Sequence, residues 1–129
     1  GAALTTRRSF IKNHPNLTSR TIRALVRGIH FFKSRREETI SILAKFFRTN
    51  DREALEEVWG VYSAAIPSKP YASEPAVQAV LNHLSEGDPR YAQHKPAEFI
   101  ESGPLLELDR SGYIDALYAG KESRGKINR

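Results

Sequence analysis

Four times between Ile22 and Leu84, apolar residues recur at i, i+3, i+4 and i+7: Ile22, Leu25, Val26 and Ile29; Ile40, Leu43, Ala44 and Phe47; Leu55, Val58, Trp59 and Tyr62; Val77, Val80, Leu81 and Leu84. At 100° per residue this spacing gathers side chains on one face of an α-helix, whereas a half-buried strand would alternate at every second residue. A helix with one apolar face is stable only where that face is covered. The spacing therefore predicts a mainly α fold in which four amphipathic helices need each other. On the first of them Arg20, Arg23 and Arg27 fall opposite the apolar stripe, on a face left to water.

Local punctuation sets the bounds. Asn13 or His14 starts the first long helix, with Pro15 in its first turn where the missing N–H costs nothing, and the helix runs to about Lys33. Gly28 in its interior costs up to ~1 kcal/mol relative to Ala and predicts close packing against another backbone. Phe31 falls on the arginine side and needs a cover. Ser34–Glu37 matches a capping box that opens a second helix to about Arg48, on which Ile42 and Phe46 make a second apolar face. Asn50 or Asp51 caps the third helix, which ends before Pro67; Pro67, Pro70 and Pro75 mark a connecting loop over 67–75. Ser73 caps the fourth helix and Gly87 stands as its C′ residue. Short C-terminal helices follow, with Gly112 as a stop and Ile114, Leu117 and Tyr118 as a last small apolar face. Ahead of all this, Leu4, Thr5 and Thr6 within Ala2–Ile11 predict one short N-terminal strand, whose partner must lie in another copy or outside the sequence.

At 129 residues the chain reads as a single helical domain, 1–129, ending in a flexible tail at 119–129. No apolar run approaches the ~20 residues that span a bilayer. The sequence contains no methionine, so Gly1 reads as a cloning scar on a chain processed or cut from something longer. With no cysteine, thiolate metal sites and cysteine nucleophiles are excluded, and His14, His30, His83 and His94 are scattered without the i, i+4 spacing that metal binding favours. No G-x-S-x-G elbow and no Gly-rich phosphate loop is present, and neighbouring acids such as Glu56 and Glu57 diverge on a helix. The expectation is a protein that is not an enzyme, with no catalytic residue, metal or cofactor.

The net charge of +5 divides into +9 over residues 1–50 and −4 over residues 51–129. A nucleic-acid face built on Arg20, Arg23, Arg27, Arg35 and Arg36 is one reading. It is not the favoured one, because the stripe lacks interleaved aromatics, and a solvated face meeting the acidic half of its own fold accounts for the charge.

Taken in order, TTRRSFIKNHPN, RALVRGIHFFKSRREETISILAKFF, DREALEEVWGVYSAAIPSKPYASEPAVQAVLNHL and LLELDRSGYIDALY are similar to the C-terminal part of ABC-importer substrate-binding proteins of the nitrate, sulfonate, taurine and thiamine-pyrimidine group. The matching positions are Phe10, Ile11, Asn13 and Pro15 at the helix start, then Ala24 and Gly28. Glu38, Ile40, Leu43 and Ala44 follow, then Tyr62, then Pro67, Pro70, Tyr71 and Ser73, and finally Leu108, Gly112, Tyr113, Ile114, Leu117 and Tyr118. Arg35 and Arg36 depart from the pattern. The resemblance spans about residues 5–118. It implies a helical fragment of a two-lobed α/β periplasmic-binding fold that lacks its N-terminal lobe, a small-molecule solute and an ABC permease as partners, and a periplasmic or extracytoplasmic parent. Most cleft residues would lie outside the chain; Thr6 and Arg7, at the end of the expected strand, are the ligand-binding candidates. The orphan strand, Phe31 and the Ile42 and Phe46 face would all turn toward the missing sheet. Two other readings stand beside it: a basic helical nucleic-acid-binding module, and a protein-interaction module with self-association through Ile42 and Phe46.

Overall fold

The computed structural model describes residues 4–120. It is mainly helical: α1 (Arg8–Asn13), α2 (Pro15–Ser34), α3 (Arg36–Phe47), α4 (Arg52–Ala65), α5 (Glu74–Gly87), two 3-10 turns (Pro89–Gln93 and Pro96–Phe99), α6 (Gly103–Arg110) and α7 (Tyr113–Tyr118). Among the described residues there is no strand. The stretch expected to be one carries α1 from Arg8 onward, and residues 4–7 are exposed and join no sheet. With no neighbouring strand to pair with, the backbone closes on itself, Phe10 and Ile11 donating to the Arg7 carbonyl at 2.9 and 3.3 Å. The chain then kinks at His14, whose φ of −132° and ψ of 56° lie outside the α region that a following proline disfavours, and α2 starts with Pro15 at its first position. The tail expected at 119–129 lies outside the described residues beyond Gly120.

The four amphipathic helices do not share one core. Val26 of α2 packs with Leu105 and Leu108 of α6 and with Ile114 and Leu117 of α7, flanked by Ile22 and Tyr113. The final small apolar face is thus the centre of the molecule. Gly112, at φ 78°, makes this possible: it ends α6 in the left-handed region and begins α7 at once, folding two short stripes onto α2. α3 packs instead on α4 through Ile40 and Leu55, while α5 buries Leu81 and packs on the two 3-10 turns.

The junction between α2 and α3 is a single residue, Arg35, which caps both. Ser34 therefore remains inside α2, its hydroxyl donating to the His30 carbonyl at 2.7 Å, and the expected capping box does not form. The orphan carbonyls of α2 are met otherwise. The Phe32 carbonyl accepts from the Trp59 indole N–H at 2.8 Å and from the Thr39 hydroxyl at 3.3 Å, and the Phe31 carbonyl accepts from the Arg35 N–H at 2.8 Å. Asp51 and Ser73 cap α4 and α5 as expected, accepting from the amides of Ala54 and Ala76. Gly87 is the last residue of α5 and Asp88 caps it in an extended conformation, so the C′ role expected of Gly87 is not used. Nor is Gly28 packed against another backbone: a Cβ there would meet nothing within 4 Å.

Candidate functional site

Thr6 and Arg7 are exposed. Arg7 stands in extended conformation at the start of α1 with no side-chain cap bond, and the structure brings no other candidate to it. Among the described residues no group of three or more His, Asp or Glu could hold a metal ion, and no helix is long and apolar enough to cross a membrane.

The arginines gather intrachain contacts more than they form an open stripe. Arg23 lies over the Tyr113 ring at 4.5 Å, joining α2 to α7 by a cation–π contact. Arg36 reaches Glu56 at 3.1 Å and covers the Trp59 ring at 5.4 Å, and Arg35 reaches Glu38 at 3.5 Å. Arg52 donates to both carboxylate oxygens of Glu37, at 3.0 and 2.9 Å, and to Glu56 at 2.8 Å. Those hydrogen bonds, Glu37 first, hold the Arg52 guanidinium further above its ordinary pKa. This acid and arginine lattice stitches α3 to α4.

The outer side of α2 and α3 is the opposite in character. Phe31 is 40% exposed, Ile42 55% and Phe46 76%, and Phe47, edge-to-face with Phe46 at 5.2 Å between ring centres, is also in water. Helix spacing dictates this. Ile42 lies about 200° from Ile40, so once Ile40 is turned onto α4 the Ile42 and Phe46 stripe must point away. Among the described residues sixteen large hydrophobics are exposed against nine that are buried.

A polar cluster that sequence reasoning did not find joins the proline-rich loop to the end of the chain. Lys69 lies 2.7 Å from Asp109 and 3.0 Å from Asp115, and the Tyr71 hydroxyl donates to Asp109 at 2.7 Å. The hydrogen bonds from Lys69 and then Tyr71 hold the Asp109 carboxyl below the usual carboxylate range. The same bonds to Asp109 push the Lys69 and Tyr71 pKa values up. Partners some forty residues apart leave no periodic signal; the only hint was a lysine and a tyrosine inside an otherwise stiff proline segment.

Two open hollows lie on the described surface. One, of about 300 Å³, is lined by Asp88, Arg90, Tyr91 and His94. The other, of about 310 Å³, lies along the α3–α4 seam beside Ile40, Arg52 and Leu55. Part of the wall of the first is an ion pair, Arg90 on Asp88 at 2.6 Å, which holds the Asp88 carboxyl below its ordinary pKa. Neither resembles the enclosed, mostly apolar cavity that buries a small ligand. In comparisons with protein-family models, with curated proteins and with solved structures, the chain matches none.

Proposed function

We propose that this chain is the trailing helical part of a two-lobed solute-binding component of an ABC-type importer, of the nitrate, sulfonate, taurine or thiamine-pyrimidine kind. The observation that carries the reading is the two-sided apolar character of α2 and α3. One side is covered within the chain, and the other, at Phe31, Ile42 and Phe46, is left in water. Helices that lie on a sheet contributed by another part of a protein have this form. The ordered motifs over residues 5–118 support it from the sequence side.

In this reading the chain does no chemistry and needs no cofactor. Its helices cover the sheet of one lobe, residues 4–7 extend into that sheet as its strand, and Thr6 and Arg7 stand nearest the cleft. The remaining cleft residues belong to the N-terminal lobe. Solute closes the two lobes because it makes contacts only in the closed form, and the closed form is what a permease recognises in a periplasmic or extracytoplasmic compartment. The isolated chain, with its face uncovered, self-associates through Ile42 and Phe46. The nucleic-acid reading is weakened by the contacts of Arg23, Arg35 and Arg36 with Tyr113, Glu38 and Glu56.

The test is thermal unfolding of the full-length parent against nitrate, sulfonates, aromatic acids and pyrimidines. A solute at ~100 times its dissociation constant stabilises the native state by about 2.7 kcal/mol, a readable shift. No shift with any of them, together with tight, salt-sensitive binding of this chain to duplex DNA, would replace the importer reading with the nucleic-acid one.

A further inference from the structure

We propose that Asp109 is the pin of a strap, residues 66–73, which hangs a separately packed arm, residues 74–99, on the α2–α6–α7 core. The arm consists of α5 and the two 3-10 turns, and it folds on itself. Its buried residue is Leu81, and none of its side chains joins the cluster of Val26, Leu105, Leu108, Ile114 and Leu117. Its internal bends are built locally, Asp88 accepting from the Arg90 amide at 3.0 Å and Glu98 accepting from the Lys95 amide at 2.8 Å.

Besides the three-residue link 100–102 into α6, the bonds that tie the arm down among the described residues are polar and sit at its two ends. At the near end the strap is held three times: Lys33 donates to the Ile66 carbonyl at 2.6 Å, Lys69 reaches one carboxylate oxygen of Asp109, and the Tyr71 hydroxyl reaches the other. The Asp109 side chain is only 19% exposed, and it follows directly on the core residue Leu108, so it is fixed by the core. Lys69 also spans to Asp115 on α7, tying the strap to both halves of the C-terminal hairpin. At the far end Arg8 donates to the Glu98 carbonyl at 2.7 Å. Pro67 and Pro70 fix φ at two of the eight strap positions, so a strap pinned at 69 and 71 transmits one direction to α5. Releasing Asp109 frees the direction of the arm and leaves both folded bodies as they are.

The sequence has no cysteine, so Ser19→Cys on α2 and Ala79→Cys on α5 place two spin labels without background. The expected result is one narrow distance distribution in that background. It broadens in Asp109→Ala, and also in Lys69→Met combined with Tyr71→Phe, which leaves the core helix untouched should the first variant fail to fold. Hydrogen exchange in both accelerates over 66–73 and stays unchanged within α5. Asp115→Asn keeps the narrow distribution, because Lys69 retains Asp109. An unchanged distribution in both release variants overturns the proposal, as does loss of protection within α5 together with the strap, since the arm would then not be a body of its own.

Discussion

In α6 and α7, Leu105, Leu108, Ile114 and Leu117 all lie inside; α3, only slightly shorter than the pair together, buries Thr39 and Ile40 and leaves Ile42, Phe46 and Phe47 in water. The two regions do not differ in apolar content so much as in how the chain is turned. Gly112 folds α7 back beside α6, so that two stripes meet α2 from one side. Arg35 turns α3 out of α2 with α4 as its main support, and α4 covers one stripe of two. A short helix that is folded back becomes core, and a longer one that is turned outward stays half dressed.

The deepest residue tests that contrast most severely. Ile114→Ala removes a fully buried side chain and should cost about 2–5 kcal/mol in urea unfolding; a cost within ~0.5 kcal/mol would mean that the hairpin is no better packed than α3. Arg48, which ends α3 at φ 54°, is strained where glycine would not be, so Arg48→Gly should raise stability by about 1 kcal/mol. Gly28→Ala should add about 0.8 kcal/mol in the isolated chain, because the new Cβ meets nothing. In the longer parent proposed above, the same change is destabilising if this side of α2 is covered there. Phe46→Ser should stay within ~0.5 kcal/mol in the isolated chain while reducing self-association in sedimentation, and should cost far more in the parent if a sheet lies on it.

The smallest effect is a pH window at the strap. Asp109 has a depressed pKa, so its contribution is complete above the unfolded carboxylate value of about 4 and is lost as pH falls through the lower folded value. Tyr71 and Lys69 have raised values, so theirs is complete below about pH 10 and is lost as pH rises through the folded ones. The distance distribution between labels on α2 and α5 should therefore broaden first below about pH 4 and again above about pH 10, before the core opens.

The long helices were legible because a 3.6-residue stripe needs no partner to be seen, and Asp51, Ser73, Pro15 and Gly112 act within a few residues of themselves. What failed were local signals with two physical outcomes. Ser34 could cap a new helix or complete the old one, and a one-residue junction settled it for the old. Thr5 and Thr6 favour a strand only where an edge exists to receive them. Gly28 marked a packed backbone on the assumption that its side of α2 is covered within the chain, which it is not. Nothing local could announce the bonds of Lys69 and Tyr71 to Asp109, and the candidates Thr6 and Arg7 rested on a strand that does not form among the described residues.

Trp59, the sequence's one tryptophan, donates its indole N–H to the Phe32 carbonyl and carries Arg36 over its ring. The molecule thereby holds its single indole fluorophore, which can be excited apart from the tyrosines, at the joint where α2, α3 and α4 meet. Its emission should shift to the red when α4 leaves α2, report nothing when the distant arm swings, and register without any added dye whatever presses on the outer face of these helices.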